Sequence, residues 1–143
     1  MRNLFILGCA ALLALGLSFG SFAGSITDGD GDGVPDQYDN CQTTANGPTG
    51  VTGACNGQED GDLDGYGNPC DYDANNDGAT GLDDLSDTID NVAITSTNPV
   101  YDFNCDGAAG LDDLSDTIDN AAATTLPGPS GLACAGTSPC VAQ

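Results

Sequence analysis

Histidine, lysine and tryptophan are absent from this chain, and its only basic residue is Arg2. Without histidine or lysine there is no Ser–His nucleophile, no cysteine–histidine zinc site and no lysine-bearing phosphate loop. Twenty-two acidic residues against one base give a formal net charge of −21. Such a surface repels nucleic acid and anionic membranes and attracts cations. Glutamate is nearly missing as well: Glu59 stands alone among 21 aspartates. A surface made acidic for solubility alone would use both residues, whereas the shorter Asp favours tight loops. Large apolar residues are scarce beyond residue 23, and Ala supplies much of the 39% hydrophobic content. The chain therefore lacks the means to offset its ordering entropy by burial. It also lacks the walls of a carboxylate-lined catalytic cleft, so no enzymatic activity is expected.

What is present begins with an export signal at 1–23. Arg2 supplies a positive start, Leu4 to Leu17 an apolar run, and Ser21-Phe22-Ala23 a small-x-small cleavage site. The run is too short for a membrane anchor, so no span is expected after cleavage. Ile6-Leu7-Gly8-Cys9 sits too early in the run for a lipoprotein box. Cleavage removes Arg2 and Cys9 and leaves every acidic residue. Six cysteines remain, Cys41, Cys55, Cys70, Cys105, Cys134 and Cys140. In an exported chain they suggest three disulfides, with about 15 pairings open. The expected place is secreted, extracellular or on the cell surface.

The aspartates are spaced. An EF-hand calcium loop places oxygen ligands at positions 1, 3, 5, 7, 9 and 12, with Gly at 6 for the sharp turn and a backbone carbonyl at 7. Four stretches fit. Loop one, DGDGDGVPDQYD, supplies Asp28, Asp30, Asp32, the Val34 carbonyl, Asp36 and Asp39. Loop two, DGDLDGYGNPCD, supplies Asp60, Asp62, Asp64, the Tyr66 carbonyl, Asn68 and Asp71. Loop three, DANNDGATGLDD, supplies Asp73, Asn75, Asp77, the Ala79 carbonyl and Asp84. Loop four, DFNCDGAAGLDD, supplies Asp102, Asn104, Asp106, the Ala108 carbonyl and Asp113. Position 9 is Gly81 or Gly110 in the last two, where water would complete the sphere. The sixth positions are Gly33, Gly65, Gly78 and Gly107. Position 12 is Asp throughout instead of Glu, which calls for a tighter loop and admits competition from magnesium. These positions use all the aspartates except Asp83, Asp87, Asp90, Asp112, Asp116 and Asp119. About four calcium ions are expected.

The 11-mer GLDDLSDTIDN occurs at 81–91 and again, unchanged, at 110–120. Each copy leaves a loop at position 9 and continues past its end. Leu82, Leu85, Ile89 and Val92 recur at helical spacing, as do Leu111, Leu114 and Ile118, followed by Ala121 and Ala122. The spacing predicts two short helices whose apolar faces pack on each other. The alternative is an exposed stripe that binds a partner. Asp84 and Asp113 suit the first helical turn, and Asp90 and Asp119 oppose the dipole at the other end.

At 28–71, "DGDGDGVPDQYDNC" and "NGQEDGDLDGYGNPCD" resemble the thrombospondin type 3 repeat, a family of calcium-rich loops held by disulfides with little regular structure. The resemblance implies a Cys41–Cys70 bridge; Cys41–Cys55 is the rival. Cys134 with Cys140 would form a small tail loop, leaving Cys55 and Cys105. At 73–120 the duplicated Asp-x-Asn-x-Asp-Gly pattern, closed by Asp and followed by a short helix, resembles a dockerin domain. That resemblance implies two calcium ions and docking to a cohesin-like partner. The places that often hold a Ser-Thr recognition pair carry Leu82-Asp83 and Leu111-Asp112.

The expected fold is therefore small, mostly irregular loops stapled by calcium and disulfides, with two short α-helices in a dockerin-like all-α half and no sizeable core. Residues 24–72 form the thrombospondin-like region, 73–122 the dockerin-like pair and 123–143 a flexible tail. Three functions fit: a calcium-held structural or adhesion module, a docking module for an exported or cell-surface protein, and a calcium buffer or matrix protein.

Overall fold

The computed structural model describes residues 26–49, 55–92, 96–121 and 126–140. The expected export signal at 1–23 lies outside the described residues. Helix α1 spans Leu82–Val92 and α2 spans Leu111–Ala121, and the two pack together. Three single 3-10 turns accompany them, Asp36–Tyr38, Asn68–Cys70 and Pro99–Tyr101. Among the described residues there is no strand, only an isolated antiparallel bridge between Ser96 and Ala109. None of these helices is long and apolar enough to cross a membrane. The rest is loop, tied by Cys41–Cys70, Cys55–Cys105 and Cys134–Cys140. The rival Cys41–Cys55 bridge is not formed.

Each 3-10 turn has Pro before or inside it, at Pro35, Pro69 and Pro99, and the fixed proline φ sets its tight start. The residues that close these turns are Asp39, Asp71 and Asp102, all of them expected ligands. The turns thus aim carboxylates.

Both α-helices begin in the same way. The Asp84 carboxylate accepts from the Gly81 amide at 2.7 Å, and Asp113 accepts from Gly110 at 2.6 Å. This half of a capping box satisfies an amide that the helix start would leave without a partner. One turn later Thr88 and Thr117 donate their hydroxyls to the Asp84 and Asp113 carbonyls, at 2.8 and 3.0 Å. Asp84, Thr88, Asp113 and Thr117 are fully buried.

This polar inner face corrects the expected packing of the apolar stripe. Leu82 and Leu111 are 80% and 79% exposed, and Ile89 and Ile118 are 46% and 48% exposed. Leu85, Leu114 and Val92 are half-buried. The cause is the closing Asp. A helical residue turns about 100° from its neighbour. With Asp84 fixed toward its loop, Leu82 falls nearly opposite and Thr88 falls on the same side.

Among the described residues the buried apolar ones are few: Cys41, Cys55, Cys70, Phe103 and Ala109. Phe103 stacks on Tyr72, centroids 5.0 Å apart and tilted by 48°. The two halves of the chain are joined here. Cys55 is bonded to Cys105, and the Asn68 side-chain amide donates to the carbonyls of Pro99 and Asp102, both at 2.9 Å.

Where a flexible tail is expected, residues 126–140 lie docked on the first half. The amides of Gly128, Gly131, Gly136 and Cys140 donate to the carbonyls of Cys70, Asp39, Asp64 and Leu63. The Gln42 amide returns a bond to the Pro129 carbonyl at 2.9 Å. Backbone pairing holds this segment, so its Ala, Pro, Gly and Ser composition gives no sign of it.

Candidate metal centres

The four loops share one backbone. Gly33, Gly65, Gly78 and Gly107 at position 6 have φ of 93°, 93°, 97° and 97°, a region that L side chains avoid. Position 4 is left-handed too: Gly31, Leu63, Asn76 and Cys105 have φ of 78°, 63°, 59° and 55°. The position-1 carboxylates of Asp28, Asp60, Asp73 and Asp102 accept from the position-6 amide at 3.1, 2.9, 2.6 and 2.9 Å. The position-5 carboxylates of Asp32, Asp64, Asp77 and Asp106 accept from the amides of Val34, Tyr66, Ala79 and Ala108 at 2.8, 2.9, 3.1 and 3.1 Å. These bonds hold side chains 1 and 5 against the loop's own backbone. Carboxylate oxygens of Asp28, Asp30 and Asp32 come within 4.8 Å of one another, as do those of Asp60, Asp62 and Asp64.

The loops then divide into two kinds. In loops one and two the position-9 oxygen turns back on the loop start: Asp36 accepts from Gly29 at 2.7 Å, and Asn68 from Gly61 at 2.8 Å. Their closing residues bond onward, Asp39 accepting from Cys41 and Asp71 from Asp73. In loops three and four the closing residue reaches back across the loop. Asp84 accepts from the Asn75 amide at 3.2 Å, and Asp113 accepts from Phe103 and Asn104 at 2.8 and 3.1 Å. Position 9 there is Gly, whose amide goes to that same carboxylate. Asn104 also donates its side-chain amide to Asp112 at 2.9 Å.

A polar layer unmarked by the loop template supports loop one. Gln58 donates to Asp39 at 2.9 Å and to Asn46 at 2.5 Å. Asn46 in turn donates its side chain to Asn40 and its backbone amide to the second oxygen of Asp32. Asn40, Asn46 and Gln58 lie in the 40–58 segment between loops one and two, and no spacing rule marks them.

Among the described residues no basic side chain stands beside these carboxylates. Burial, then repulsion from Asp64, Asp62 and Asp73, pushes Asp71 up to about 8. Burial, then Asp62, Asp60 and Asp73, pushes Asp64 up to about 6. Asp30, Asp39, Asp84 and Asp102 are also raised, burial being the largest cause in each. Among the described residues two buried carboxylate oxygens, Asp30 Oδ2 and Asp39 Oδ2, have no hydrogen-bond partner, and Asp39 is fully buried. An unpaired charge in that position is costly unless a cation accepts it. Loop two lies between its neighbours, with a cleft of about 310 Å³ toward loop three and one of about 360 Å³ toward loop four. Cys55, Glu59 and Cys105 also meet, but both cysteines are oxidised and offer no thiolate.

The donor set is oxygen throughout, hard carboxylate and amide groups in a flexible loop. That set fits calcium better than zinc or copper. Comparison with known proteins adds nothing: no family model, no curated protein and no solved structure matches the chain.

Proposed function

We propose that this chain is an exported, non-enzymatic calcium-binding module, structural or adhesive in role, whose fold is held by about four calcium ions. The observation that carries the reading is the fully buried Asp39, one of whose oxygens faces no donor inside a ring of aspartates. The residues that would hold the ions are Asp28, Asp30, Asp32 and Asp39 in loop one and Asp60, Asp62, Asp64 and Asp71 in loop two. In loops three and four they are Asp73, Asn75, Asp77 and Asp84, and Asp102, Asn104, Asp106 and Asp113. Carbonyls of Val34, Tyr66, Ala79 and Ala108 would add one oxygen each. Asp36 and Asn68 each bond a backbone amide and keep a lone pair for the ion.

Calcium does the work of a core in this reading. A site at ten times its Kd contributes about 1.4 kcal/mol, and four such sites about 6 kcal/mol. That is the scale of a whole domain's stability. Three disulfides fit the same oxidising compartment.

The test is calcium titration of the oxidised protein by calorimetry and circular dichroism. About four ions and a gain of structure are expected. Absence of stoichiometric binding, or equal compactness in chelator, overturns the reading. A second reading, docking of an exported cohesin-like partner, draws on exposed Leu82, Leu111, Ile89 and Ile118. It requires capture of such a partner in calcium and its loss on Leu82→Asp with Leu111→Asp.

A further inference from the structure

Loop two differs from the other loops in what lies behind it. Four of its successive carbonyls, at positions 3 to 6, are all taken by the C-terminal segment. Ser138 Oγ donates to the Asp62 carbonyl at 3.1 Å. The Cys140 amide donates to Leu63 at 2.6 Å and the Gly136 amide to Asp64 at 2.8 Å. Ser130 Oγ donates to Gly65 at 2.7 Å. The segment also presses on the next residue, Tyr66. A Cβ at Gly128 would stand 2.7 Å from the Tyr66 ring, and one at Gly136 would stand 3.8 Å from its hydroxyl. The Cys134–Cys140 bridge closes the part of the segment that makes three of these four hydrogen bonds.

In loop two the carbonyls of positions 3 to 6 are held by the C-terminal segment, while carboxylate oxygens of Asp60, Asp62 and Asp64 gather within 4.8 Å of one another. Fixing the carbonyls of Asp62, Leu63, Asp64 and Gly65 fixes the backbone that carries the Asp62 and Asp64 side chains. It also restrains Leu63, whose left-handed φ of 63° is unfavourable for a leucine. Loop one has a smaller version, in which Thr49 alone takes the carbonyls of Gly31 and Asp32.

We propose that residues 126–140 are a strap that pre-shapes loop two for its cation, so that strap docking and cation binding at loop two reinforce each other. The inference rests on the calcium reading of the loops. Linkage makes the effect mutual: whatever factor the strap adds to loop-two affinity, the bound ion adds to strap docking.

Two measurements on the oxidised full chain test this. In calcium titrations, Gly128→Val lifts the strap from Tyr66, and Ser130→Ala with Ser138→Ala removes two of its bonds without adding bulk. Each variant is expected to weaken one site about tenfold and leave the others unchanged. The loss should vanish when loop two is already disabled by Asp60→Asn with Asp64→Asn. Amide exchange read by NMR is the second. Disabling loop two, with calcium still present, should speed exchange at Gly136 and Cys140 about tenfold. Strap variants that bind calcium like the parent, or amides that stay protected with loop two disabled, overturn the strap. A parent protein that binds no calcium overturns the loop reading itself, which separates the two failures.

Discussion

At Asp39, one carboxylate oxygen accepts from the Cys41 amide and from Gln58, both at 2.9 Å, while the other has no partner. Asp39→Asn keeps the first oxygen and replaces the second by an amide nitrogen among Asp30, Asp32 and Asp36. Calorimetry is expected to show one calcium site weakened by more than tenfold. Thermal unfolding in chelator should be unchanged or raised, because a repelled charge has gone. Thr80 poses the reverse case. Its hydroxyl is fully buried without a partner, and the matching position in loop four is Ala109. Thr80→Val removes a desolvated group at constant shape and should stabilise the calcium form by about 1 kcal/mol, read from melting curves. The loop framework, Gly at position 6 and carboxylates at positions 1 and 5 bonded to the loop's own amides, was legible from sequence because such a turn needs set residue types at set spacings. Position 4 was not, since Gly31, Leu63, Asn76 and Cys105 share a backbone angle and no side-chain property.

At the scale of the element, each loop and its helix are one unit. Asp113 caps α2 through Gly110 and holds loop four through Phe103 and Asn104. Asp113→Ala should therefore cost about 2 kcal/mol even without metal, from the cap and the freed loop amides together. Circular dichroism in chelator should show the lost helix, and a calcium titration should show the lost site. Exposed Asp119, which serves neither, should tolerate Ala within about 0.5 kcal/mol. The existence and extent of α1 and α2 were readable from the repeated 11-mer. Their orientation was misread because apolar spacing was taken to choose the inner face. The closing carboxylate chooses it instead, and Leu82 and Leu111 are turned outward as a result.

Over the whole molecule, the metal-free and calcium-bound forms should respond to pH in opposite ways. Asp71 is held up to about 8 and Asp64 up to about 6, burial first and neighbouring carboxylates second, against 3.8 for an ordinary Asp. The metal-free fold keeps protons that the unfolded chain has released. The stability contributed is full below 3.8 and is lost as pH rises through about 6 and then about 8. Protein stripped of metal should melt higher at pH 5 than at pH 8. In calcium the order should reverse, because ligands must be deprotonated, and binding near pH 7 should release protons, seen as a buffer-dependent heat. The docking of 126–140 was illegible for a general reason: amide-to-carbonyl bonds leave no mark on residue type. The polar interior has a last consequence. Unfolding of ordinary domains exposes enough hydrocarbon to raise the heat capacity by about 12–15 cal/mol/K per residue. Here, among the described residues, the largest fully buried side chains are Phe103, Cys41 and otherwise Asp, Asn and Thr, and exposing polar groups lowers that increment. Scanning calorimetry should find a value well under the usual one. The stability curve would then be flat, with little tendency to cold denaturation, and the calcium concentration around the protein would govern its folding more than the temperature does.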